Sequence, residues 1–122
     1  MKIKNIVASG IAAFMLLGST AVFGATSSTS ISYYDTGRDG ATVSMSGSVK
    51  MSGYNSSSSH NSLWVELYRR SAGFDDRVTG SELKISQSTS WTVNVSSDLY
   101  YLHLDPDGPL YDGCIGNGSA VN

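Results

Sequence analysis

Three aspartates crowd into one short segment, Asp105-Pro106-Asp107-Gly108-Pro109-Leu110-Tyr111-Asp112-Gly113. Carboxylates gathered at Asp105, Asp107 and Asp112 suit a hard cation, since calcium takes six to eight oxygen ligands from side chains and carbonyls. An EF-hand loop would want further ligands where the chain has Pro109 and Gly116. Calcium at this loop is one expectation. A plain turn is the simpler one, because Asp, Pro and Gly are the residues that turn geometry favours. Asp35 and Asp39 mark a second loop of the same kind.

Nucleophilic catalysis asks for a serine or cysteine with a histidine and an orienting acid in hydrogen-bond reach. The chain has two histidines, His60 after a serine run and His103 between Leu102 and Leu104, and neither stands in a nucleophile context. Two histidines and the single Cys114 also include no short ligand pair of the sort that zinc sites use. The chain therefore reads as non-enzymatic. With one cysteine no internal disulfide can form; a buried Cys114 is inert, and an exposed one would link two chains into a homodimer.

Binding has better material. Trp64, Tyr68 and Tyr101 fall opposite the apolar positions of their segments, so an open face would carry an aromatic strip flanked by Arg70. If that face packs a second layer, the same rings are core, and this is the default because a small domain needs its large side chains inside. Arg69, Arg70 and Arg77 beside Asp75 and Asp76 read as a solvated hairpin end.

The elements that must position these groups show a rhythm of two and never of 3.6. Val43, Met45, Val49 and Met51 alternate with polar residues between Ala41 and Gly53; Leu63, Val65 and Leu67 alternate with Trp64, Glu66 and Tyr68. Trp91, Val93 and Val95 make another such set, and Tyr100, Leu102 and Leu104 a further one. Leu83 and Ile85 mark a less regular strand, while Ile31 to Tyr34 and Cys114 to Val121 supply short outer ones. About seven strands joined by Gly, Ser, Asn and Asp clusters predict an all-β, small antiparallel β-sandwich. Ser56 to Ser59 reads as a mobile loop tip, and Thr26 to Ser30 as a flexible leader.

Ahead of that leader, Lys2 and Lys4 precede an uncharged run from Ile6 to Phe23 that ends in the small Gly24 and Ala25, the order of a secretory signal peptide. Ser9, Gly10, Gly18, Ser19 and Thr20 dilute the run and argue against a retained anchor. We expect residues 1–25 to be removed and 26–122 to form one secreted domain, of bacterial type judging by so short a signal. Losing Lys2 and Lys4 moves the formal charge from −2 to −4, which speaks against nucleic acid or an anionic membrane as partner. The reading these features favour is an extracellular binding or structural module with a protein or envelope polysaccharide as partner. Two others stand beside it. A membrane-active or antimicrobial protein would use the two-faced segment Ala41 to Gly53, and an enzyme inhibitor would present the Asp105 to Asp112 loop.

Overall fold

Residues 25–108 and 111–122 are described by a computed structural model of the chain. The expected signal segment up to Gly24 lies outside the described residues. The strands are β1 (Thr26–Ile31), β2 (Arg38–Asp39), β3 (Val43–Asn55), β4 (Leu63–Arg69), β5 (Asp76–Leu83), β6 (Ser88–Pro106) and β7 (Gly116–Val121). All join in one antiparallel sheet, in the order β1-β7-β3-β6-β4-β5, with β2 paired to β6. The all-β class expected from the alternation is what forms, and the described residues contain no helix.

Alternation places the core. Val49 and Met51 of β3, Leu63, Val65 and Leu67 of β4, Leu83 of β5, and Tyr100, Leu102 and Leu104 of β6 all point to one interior and are essentially inaccessible. Each buried side chain of this kind contributes roughly 1.5–3 kcal/mol of transfer free energy. The faces meet closely: a Cβ added at Gly53 of β3 would run into Val65 and Leu83, so β3 lies over β4 and β5.

Strand β6 makes this possible by changing partners. Its first half, Ser88 to Tyr100, pairs with β3, and its second half, Tyr100 to Pro106, pairs with β4 on one edge while Leu104 and His103 pair with β2 on the other. The change falls opposite a register shift between Met45 and Gly47. Gly47 has φ +84°, a left-handed conformation that costs glycine little and other residues more. Asn122 holds this bulge, accepting from Ser46 N (3.0 Å) and donating to the Ser46 and Ser48 carbonyls (2.9 and 2.8 Å). On the β6 side the Tyr100 hydroxyl donates to the Ser96 carbonyl at 2.6 Å.

Four expectations change here. The trios around Val93 and Leu102 belong to one 19-residue strand rather than two. Thr26–Ile31 is no loose leader: it pairs residue by residue with β7, from Thr26↔Val121 to Ile31↔Gly116. Its buried Ser27 Oγ donates to the Ala41 carbonyl (2.7 Å) and accepts from Leu102 N (3.0 Å), a polar tether where an apolar residue would give the usual signal. Strand β7 is internal, between β1 and β3, because Gly116, Gly118 and Ala120 let neighbours approach. Ser59 is buried, its hydroxyl bonded to both Ile115 N and O, so the serine run is pinned.

Candidate functional site

The register of β4, β5 and β6 sets out a small grid on the sheet face that points away from the core. Across the strands, Glu66 lies opposite Gly80 on one side and His103 on the other; Trp64 opposite Glu82 and Asp105; Tyr68 opposite Arg77 and Tyr101. Asp39 of β2 extends the middle row beyond His103. Trp64, Tyr68 and Tyr101 therefore share one face, as the alternation implied, and among the described residues no second layer covers it. The default expectation that they are core is overturned: they are half-buried, shielded mainly by one another and by charged neighbours.

Each ring is fixed by a contact. Tyr68 stacks on Tyr101 with centroids 5.7 Å apart and meets His103 edge-on at 5.5 Å. The Tyr101 hydroxyl donates to Asp75 at 2.6 Å, and burial together with that carboxylate pushes its phenol well above the usual range. The same bond, with one from Ser71 N, holds the Asp75 carboxyl below its ordinary value. Trp64 Nε1 donates to Asp107 at 3.4 Å. The Arg77 guanidinium lies over the Trp64 ring, 5.0 Å from its centroid, in a cation–π contact. Gly80 gives it the room, since a Cβ there would collide with Arg77. Arg70 is placed elsewhere. It lies past the end of β4, exposed, and donates to Thr42 Oγ1 at 3.2 Å; Arg77 is the guanidinium of this face.

Glu66 is the unusual member. It is only 7% exposed, yet carries a carboxylate. Oε2 is paired with Arg77 Nε at 2.8 Å, while Oε1 is buried without a hydrogen-bond partner. Burial raises its carboxyl above the ordinary value, with Arg77 and His103 opposing. Burial also raises Asp105. Glu66, His103 and Asp105 each bring a ligand atom to within 4.8 Å of the others. His103 Nδ1 is held by Asp39 Oδ1 at 2.5 Å. A shallow open cavity of about 370 Å³ lies here, lined by Trp64, Glu66, Arg77, Asp105 and Gly108.

The three loop aspartates do not converge. Asp105 turns to Glu66 and His103, Asp107 takes the Trp64 bond, and the Asp112 backbone carbonyl accepts from Asn61 Nδ2 at 2.5 Å. Among the described residues the group of acidic and imidazole side chains that does converge is Glu66, His103 and Asp105, which shares Asp105 with the loop. Cys114 is fully buried, with Sγ donating toward the Asn61 carbonyl at 3.2 Å. His60 sits apart, bonded through Nδ1 to the Tyr33 hydroxyl at 2.6 Å. The residues that sequence reasoning passed over are Glu66, Arg77 and the partnership of His103; the signal for Glu66 was a charge in the middle of the alternating run from Leu63 to Tyr68. No family model matches the chain, and no characterised protein is significantly similar to it.

Proposed function

We propose that this chain is a secreted, non-enzymatic module that binds an envelope polysaccharide on the outer face of β4, β5 and β6. On this reading residues 1–25 are the export signal, and the sheet, folded where β6 changes partners, is a small β-sandwich. The observation that carries it is the grid of Trp64, Tyr68 and Tyr101 interleaved with Glu66, His103, Asp105 and Arg77 on an open face. Sugar rings offer apolar C–H faces and a rim of hydroxyls. Half-buried aromatic rings match the first, and carboxylates and a guanidinium, as fixed acceptors and donors, match the second. A shallow cavity suits a chain laid across the sheet better than a small substrate enclosed for chemistry. The membrane-active alternative draws less support, because the apolar residues it would expose, Val49 and Met51, are wholly buried.

Co-sedimentation of the untagged protein with purified peptidoglycan and other envelope polysaccharides tests this. Saturable binding that weakens at least tenfold in Trp64→Ala and Tyr68→Ala, with circular dichroism unchanged, is the expected result. Lack of saturable binding to any of these polymers, or binding indifferent to both substitutions, refutes it.

A further inference from the structure

We infer that Glu66, His103 and Asp105 form a binding site for a divalent transition-metal ion of the zinc class. The inference does not rest on polysaccharide binding and holds or fails on its own.

Two strands, β4 and β6, deliver the ligands, and the two side chains in the middle row are oriented from behind by residues of β5 and β2. Arg77 takes Oε2 of Glu66 from the β5 side, and Asp39 takes Nδ1 of His103 from the β2 side. What these partners leave over is Oε1 of Glu66 and Nε2 of His103, on the strands that pair Glu66 directly with His103. A carboxylate–histidine pair behind a metal-facing nitrogen is the arrangement by which proteins fix a ligand's tautomer and ring orientation. Arg77 does the equivalent for the carboxylate.

Oε1 of Glu66 is the second, independent sign. It belongs to a side chain more than nine-tenths buried, and it has no hydrogen-bond partner. A buried charged oxygen without a donor is costly. A cation bound between Glu66, His103 and Asp105 removes that cost. The charges balance as well: Glu66, Asp105 and Asp39 against Arg77 leave two negative charges around the cluster, the number a divalent ion neutralises.

The donor set selects the ion. Calcium and magnesium prefer all-oxygen shells, whereas an imidazole with two carboxylates and open positions for water suits zinc and its neighbours. Zinc bonds such ligands at about 2.1 Å, which brings the donor atoms to roughly 3.4 Å from one another. One donor atom from each residue now lies within 4.8 Å of the others, so metal binding requires the side chains to draw together. Nothing in the sequence shows the site, because its ligands are 37 and 39 residues from Glu66 and meet through strand register alone.

Isothermal titration of the untagged protein with zinc chloride, and separately with calcium and magnesium chloride, provides the test. The expected result is one zinc per chain, no comparable heat from calcium or magnesium, and a loss of affinity of 30-fold or more in His103→Gln and Asp105→Asn. Asp39→Asn is expected to weaken zinc about tenfold through the orientation of His103. His60→Ala, away from the cluster, leaves affinity unchanged. Should a variant unfold, proton NMR of the wild-type protein serves instead: the imidazole resonances of His103 shift on zinc addition and those of His60 do not. Absence of zinc binding, preference for calcium, or binding lost with His60→Ala but retained in His103→Gln would overturn the inference.

Discussion

The two halves of β6 are one continuous strand, yet they do different work. From Ser88 to Leu99 it pairs with β3 alone, and its outward residues, Thr92, Asn94 and Ser96 among them, are exposed and uncharged. From Tyr100 onward it pairs with β4 on one edge, with β2 joining opposite His103 and Leu104 on the other, and its outward residues Tyr101, His103 and Asp105 are half-buried, with His103 bonded to Asp39 of β2 and Tyr101 to Asp75 of the β4–β5 turn. Flanking strands on both edges shield an outward side chain without putting it into the core. That shielding raises the carboxyls of Glu66 and Asp105 and aligns donors and acceptors across strands. The first half is open on one edge, and the cavity of about 360 Å³ beside it takes its charged lining, Arg69, Asp76 and Arg77, from β4 and β5.

Substitutions sharpen this contrast. Leu102→Ala in the second half removes a fully buried side chain and is expected to cost about 2–5 kcal/mol in denaturant unfolding; Val93→Ala in the partly buried first half should cost only about 1 kcal/mol. Equal costs would break the comparison. Ser27→Ala strips the tether between β1 and the second half, leaving Leu102 N and the Ala41 carbonyl short of a partner, and is expected to cost roughly 1–3 kcal/mol.

Glu66→Gln should move stability the other way. Burial raises the Glu66 carboxyl, so the folded state holds that proton more tightly than the unfolded state does. The charged form therefore costs stability as pH climbs from the ordinary value of 4.5 through the raised one. In metal-free buffer the amide is expected to stabilise the fold by about 1 kcal/mol at neutral pH, with the gain fading as pH falls below that window. Thermal melts across pH 3 to 7 check it, and a variant less stable than wild type at neutral pH would contradict it. Thr92→Ala, on the exposed face of the first half, should stay within about 0.5 kcal/mol of wild type.

Much of the sheet could be read from the chain because burying one face of a strand imposes a period of two. Val49 and Met51, Leu63 to Leu67, and Tyr100 to Leu104 announce themselves in this way, and they carry the core. Strand β1 does not, since its buried position is a serine; nor does the continuity of β6, where Ser96-Ser97-Asp98 looks like a loop until Gly47 bulges opposite. The aromatic face was half visible. Alternation puts Trp64, Tyr68 and Tyr101 together, but whether another layer covers them depends on how the sheet folds. Glu66 beside His103, and Arg77 over Trp64, arise from register and from the space at Gly80, which no local pattern records.

The chain's two tryptophans allow the contrast between the halves to be read in one spectrum. Trp64 Nε1 reports the outer face beside the second half, bonded to Asp107, and Trp91 Nε1 reports the interior beside the first half, bonded to Thr79 at 3.1 Å. In a nitrogen–proton correlation spectrum, titration with a binding envelope polysaccharide is predicted to shift the Trp64 indole signal and the amides around Glu66, Tyr101 and Asp105 while leaving the Trp91 indole in place. Shifts centred on Trp91 and the exposed residues Thr92 to Ser96, with Trp64 unmoved, would contradict the assignment of function to this face.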